Sequence, residues 1–71
     1  MDEAMREYQA ALRINPDYSD AHNNLGVVYW QRGRLDEAKR EFQTALRLNP
    51  RYVAARNNLK AVSQPHRTGL R

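Results

Sequence analysis

Residues Ser19 to Tyr52 read SDAHNNLGVVYWQRGRLDEAKREFQTALRLNPRY. Two helical patterns lie in this stretch, with a Gly between them and an Asn-Pro near the end. The rest of the chain copies it at a shift of 34 residues. Asn15-Pro16-Asp17-Tyr18 returns as Asn49-Pro50-Arg51-Tyr52, DEAMREYQAALRINP from Asp2 as DEAKREFQTALRLNP from Asp36, and Ala21-His22-Asn23-Asn24-Leu25 as Ala55-Arg56-Asn57-Asn58-Leu59. A fixed period of this size marks a stack of repeated supersecondary units.

Working outward, the apolar spacing predicts four helices. In Asp2–Ile14, Ala4, Tyr8, Ala11 and Leu12 fall on one face. Asp2 and Glu3 suit the positive end of the helix dipole, and Asp2 precedes Arg6 at the favourable spacing for a weak pair. Asn15 suits a left-handed C-cap, and Pro16 stops the helix. Asp17 and Ser19 are candidate caps for a second helix, from about Asp20 to Gln31, whose core face is Ala21, Leu25, Val28 and Tyr29. Gly26 lies inside it, at a cost of about 1 kcal/mol against Ala. Its bare Cα calls for a large ring, and Tyr8 and Phe42 are the candidates, with Tyr8 favoured. Gly33 supplies a positive φ. The third helix, Leu35–Leu48, copies the first, with Asp36 spaced to pair with Arg40. The fourth, Val53–Ser63, copies the second. Pro65 forbids further helix, and residues 66–71 are expected to be a disordered basic tail.

Composition narrows the function. A chain of 71 residues holds one small domain. It has no Cys, so disulfides and Cys-based metal sites are ruled out. It lacks an apolar run long enough for a transmembrane helix, and no secretory h-region follows Met1, which leaves the cytoplasm as the default location. The net charge of +4 comes largely from Arg47, Arg51, Arg56, Lys60, Arg67 and Arg71. These read as a solvated helical face, and without interleaved aromatics the tail does not suggest nucleic-acid binding. His22 and His66 are isolated, Gly26, Gly33 and Gly69 form no phosphate loop, and Ser19 and Ser63 have no base or oxyanion partner. Neither an enzyme nor a cofactor is expected.

His22-x2-Leu25-Gly26-x2-Tyr29, then Ala38-x3-Phe42, Ala45 and Pro50, resemble the tetratricopeptide repeat (TPR), with His22 where that family prefers Trp. The resemblance implies an all-α fold of antiparallel helix pairs stacked as a short right-handed superhelix. On that plan residues 1–17 are the second helix of a partial repeat, 18–52 a complete repeat, 53–64 a C-terminal capping helix and 65–71 the tail. Lys60, Ser63 and Pro65 depart from the pattern, so the C-terminus reads as the end of an array, whereas the N-terminus reads as cut.

By the same resemblance the chain is a protein–protein interaction scaffold that holds an extended peptide or a helix in a concave groove. Asn23, Asn24, Asn57 and Asn58 lie opposite the core stripe. The resemblance implies that Asn24 and Asn58 line the groove, similar to the asparagine ladder of TPR glycosyltransferases. Their amides both donate and accept, as a peptide backbone requires. Val27, Trp30 and Gln31 continue along the same helix. Trp30 cannot share the face of Tyr29 and is expected to be partly exposed, either as a binding anchor or lying over the first helix. TPRs that clamp a C-terminal carboxylate use basic groove residues. Here Arg56 is the single candidate, so that specificity is not expected. The alternative function is self-assembly. Met5, Tyr8 and Leu12 would be exposed on the first helix and would pair around a two-fold axis into a homodimer. A head-to-tail contact through the last helix would be hindered by Lys60, Ser63 and Pro65.

Overall fold

A computed structural model describes residues 2–64, with the side chain of Asp2 outside the description. The expectations for the Asp2–Arg6 pair, Pro65 and the tail therefore fall outside the described residues. Four helices follow in order: α1 Asp2–Ile14, α2 Ser19–Gln31, α3 Leu35–Leu48 and α4 Val53–Ser63. Among the described residues there is no strand. Each helix packs on the next, and α2 also touches α4. The fold is the all-α helix–turn–helix stack expected from the period.

The turns explain the period at atomic scale. After α1, Asn15 N–H donates to Ala11 O (2.9 Å) and Tyr18 N–H to Asn15 O (3.1 Å). After α3, Asn49 N–H donates to Ala45 O (2.9 Å) and Tyr52 N–H to Asn49 O (3.0 Å). In both turns the Asn side chain accepts from the backbone two residues on, at Asp17 (3.2 Å) and Arg51 (3.3 Å). Such Asx turns reverse the chain locally, and the proline that follows each Asn cannot continue a helix. Asn49, the copy of Asn15, has φ −140°, so it ends its helix in extended rather than left-handed geometry.

The residues preceding α2 and α4 are likewise copies, Tyr18 at φ −81°, ψ 95° and Tyr52 at φ −77°, ψ 93°, and neither cap uses a side-chain hydrogen bond. Asp17 and Ser19 were the expected caps. Instead α2 starts at Ser19, inside the first turn, and Ala21 N–H closes on Tyr18 O at 3.1 Å.

Gly33 takes φ 77° as expected. Its N–H donates to Trp30 O, and Arg34 N–H donates to Tyr29 O, both at 2.9 Å. This pair of bonds is a Schellman motif, which satisfies the last carbonyls of α2 and turns the chain sharply. The Arg34 guanidinium then lies 5.6 Å from the Tyr29 ring centre and bonds both oxygens of Glu37, at 2.8 and 2.9 Å. This is the ion pair that braces the start of α3, rather than the Asp36–Arg40 pair expected from spacing.

The core centres on α3. Ala38, Phe42 and Ala45 are fully buried between α2 and α4, together with Ala21, Leu25 and Val28 from α2 and Ala55 and Val62 from α4. No described side chain of α1 reaches that degree of burial, although α1 repeats the α3 pattern. The cause is the number of neighbours: α3 has a helix on either side, whereas α1 packs on α2 alone. The ring against Gly26 is Phe42, not Tyr8. A Cβ on Gly26 would lie 2.6, 2.8 and 3.0 Å from three atoms of the Phe42 ring. The ring is enclosed and has little room to yield, so the helical cost of Gly is offset by a close approach that a side chain would forbid. Gly26→Ala is expected to lower stability by about 1–3 kcal/mol in urea unfolding, despite Ala's better helix propensity. Phe42→Leu in the same chain should recover part of that penalty relative to Phe42→Leu alone.

Candidate functional site

The candidate groove residues come from α2 and α4, and the structure divides them. Asn23 is buried, at 6% exposure. Its Oδ1 accepts from Asn58 Nδ2 at 3.1 Å. Its amide also hydrogen-bonds the Tyr52 phenol, which in turn bonds the Asp20 carboxylate. The directions follow from the chemistry. The Asn23 oxygen is committed to Asn58, so its NH2 donates to the Tyr52 oxygen, and the Tyr52 O–H donates to Asp20. Asn58, Asn23, Tyr52 and Asp20 thus form a continuous chain of hydrogen bonds between α2 and the start of α4.

Expecting Asn23 to face a ligand was incorrect, because its amide is enclosed and occupied within the chain. The reason is tertiary. Asn58 and Tyr52 cover Asn23, whereas Asn57, its copy on α4, has no such cover and is exposed. Asn58 is half-buried and already donates to Asn23. Asn24 is half-buried, one position round the helix from this chain of bonds.

Val27, Trp30 and Gln31 line a shallow open pocket of about 380 Å³ on α2. Trp30 is half-buried. Its ring meets Phe42 edge-on, with centres 6.1 Å apart and planes at 76°, an arrangement favoured by ring quadrupoles. Val27 and Leu59 pack on the same Phe42–Val62 cluster. Trp30 therefore has one side on Phe42 of α3 in the core and the other on the pocket, instead of lying over the first helix. Asn24, Val27 and Gln31 follow at i, i+3 and i+7, one face of α2. Met5, Tyr8 and Leu12 are half-buried on α1.

His22 is the residue whose role sequence reasoning missed. Its Nε2 lies 2.9 Å from Pro16 O and its Nδ1 2.8 Å from Glu41 Oε1. A carbonyl can only accept, which places a hydrogen on Nε2. A charged ring donates to both oxygens. This side chain ties the α1–α2 turn to α3 where the related sequences prefer an apolar ring. The available signal was the polar residue at the signature's Trp position, but the period does not indicate which acid it meets.

With the geometry in view, the chain is a helical-repeat protein built on one complete helix pair and its flanking helices. Residues 1–33 match the family described as TPR repeat, and residues 19–52 the family described as Tetratricopeptide repeat. Over these residues the chain belongs to the tetratricopeptide-repeat family. No match to a curated protein was found. TPR folds generally mediate protein–protein interaction and are non-catalytic scaffolds. Among the described residues no cluster of His, Asp or Glu could hold a metal ion, and no helix is long and apolar enough to cross a membrane.

Tyr52 gives this region a pH signature. Burial pushes its phenol above the ordinary value of 10, and the bond to Asp20 and the charge of that carboxylate act in the same direction, opposed by the Asn23 amide. A folded-state value above the unfolded one contributes stability that is complete below pH 10 and lost as pH rises through the folded value. Thermal melts between about pH 9 and pH 11.5 should therefore show wild-type protein losing stability more steeply than Tyr52→Phe, with the two curves converging at the alkaline end.

Proposed function

We propose that the chain binds an extended protein segment along the exposed face of α2, with an apolar side chain of that segment seated between Val27, Trp30 and Gln31. The pocket carries this reading. It is lined by two apolar side chains and one amide, and it lies on the helix that resemblance assigns to the groove. A half-buried Trp with its inner edge fixed by Phe42 is a rigid surface, so little side-chain freedom is lost on binding. Asn24, one turn away, offers a donor and an acceptor to the backbone of such a segment. Asn57 and Asn58 on α4 extend the polar side of the surface, with Asn58 also holding Asn23.

Trp30 is the single tryptophan, so its emission reports on this pocket directly. Titration with a panel of unstructured peptides bearing a central Leu, Phe, Lys or Glu should give a saturable emission shift for the apolar members. Asn24→Ala and Val27→Glu should each weaken that binding, by roughly tenfold or more for the charged substitution, with helix content unchanged by circular dichroism. Absence of any saturable shift across the panel would count against the pocket as a binding site.

A second reading is self-association through α1, favoured by one comparison. Tyr8 and Ala11 are half-buried where their copies Phe42 and Ala45 are fully enclosed. Burial returns about 25 cal/mol per Å², so covering Met5, Tyr8 and Leu12 would matter to a domain this small. Light scattering across a concentration series should show mass rising with concentration, and Tyr8→Glu should return it to the monomer value. A constant monomer mass to near-millimolar concentration would exclude this reading.

A further inference from the structure

The pocket at Val27, Trp30 and Gln31 lies beside the point where the chain leaves α4. Helices α2 and α4 run side by side in the same direction. Asn58 bonds Asn23 near their starts, and near their ends Val62 belongs to the cluster on which Val27 and Trp30 pack. Just past Val62, Gln64 ends α4 at φ −75°, ψ 140°, the extended geometry that a following proline favours. From there the sequence reads Pro65-His66-Arg67-Thr68-Gly69-Leu70-Arg71, in which Leu70 is the one large apolar side chain. We infer that Leu70 of the same chain occupies the pocket between Val27, Trp30 and Gln31, so that the segment after α4 competes with an external ligand. This rests on the reading of that pocket as a binding site and names its resident occupant.

Reach and chemistry both support this occupant. Leu70 stands six positions beyond Gln64. Six residues span up to about 20 Å when extended and about 13 Å on root-mean-square average, whereas packed helices lie about 8–10 Å apart. The link therefore presents Leu70 to the pocket at an effective concentration on the order of millimolar. A contact too weak to join separate molecules is filled under those conditions. The lining of the pocket carries no charge. It offers an aliphatic side chain an apolar seat, while the guanidiniums of Arg67 and Arg71, costly to desolvate, stay in water.

The emission of Trp30 in the full chain reads this contact. Leu70→Glu should move it to longer wavelength, as water replaces the leucine against the indole. Thr68→Glu, of equal charge, should leave it at the wild-type value. The difference between wild type and Leu70→Glu should be the same at every protein concentration, since the contact lies within one chain. Leu70→Glu should also bind the apolar peptides of the panel about threefold or more tightly than wild type, because the pocket is no longer occupied in most molecules. Circular dichroism should give the same helix content for all three proteins. Emission and peptide affinity left unchanged by Leu70→Glu, with peptides still binding wild type, would overturn the Leu70 contact while keeping the pocket as a binding site. An emission difference that vanishes on dilution would also overturn it, in favour of Leu70 from a second copy. A Leu70-dependent shift with no peptide bound by either protein would keep the Leu70 contact and overturn the external ligand. No effect of Leu70→Glu and no peptide binding would overturn both.

Discussion

The structure depends on the closeness of α2 and α3, and that closeness is set where the Phe42 ring lies on Gly26. A Cβ at Gly26 would come within 2.6 Å of the ring. The apolar contacts of the repeat gather around this point. Trp30 reaches the ring edge, Val27 and Leu59 close over the same cluster, and Ala38 and Ala45 are small enough to let neighbouring helices approach α3. Interiors pack at crystal-like density, so a change of one carbon at such a point is felt throughout the contact.

A second constraint is polar. Apolar packing brings α4 against α3, but it does not by itself fix how far α4 is rotated relative to α2. The bonds from Asn58 through Asn23 and Tyr52 to Asp20 do this. Each group has a partner, and no buried side-chain donor or acceptor among the described residues lacks one. A satisfied buried network of this kind specifies one arrangement, since any rotation of α4 would leave an amide or a phenol unpaired at a cost of about 1–3 kcal/mol. His22 performs a similar task at the same end of α2, toward α3 and the α1–α2 turn. Where the family's Trp would hold the helices by area, this chain uses two directed hydrogen bonds.

Helix bounds and turn positions were legible in the sequence, whereas the caps, the ion pair at the start of α3 and the long-range choices were less so. The helix bounds, the turns at Asn15-Pro16 and Asn49-Pro50, and the positive φ of Gly33 all rest on interactions within a few residues, which spacing and residue type encode. Tyr8 and Phe42 occupy the same position of the repeat, so periodicity could not say which of them meets Gly26. Asn23 and Asn57 are also copies, yet one is enclosed and the other exposed. The difference lies in Asn58, 35 positions away in sequence, and in Tyr52. A polar residue reads as exposed until its partner is known. The pocket at Val27, Trp30 and Gln31 was legible only as a set of residues on one helix.

Repetition therefore fixes what a residue contributes chemically, while its neighbours decide whether that contribution is structural or available. Tyr8 and Phe42 differ by a hydroxyl, but the ring flanked by two helices is core and the ring resting on one is half-exposed. Arg56 stands where His22 stands, yet His22 is half-buried against Glu41 of α3 whereas Arg56 is exposed. In a repeat stack the same position is enclosed where helices flank it on both sides and partly exposed where one does. The α2 face beside Trp30 follows the same logic. Phe42 holds the inner edge of the indole, and the outer side lines the pocket with Val27 and Gln31.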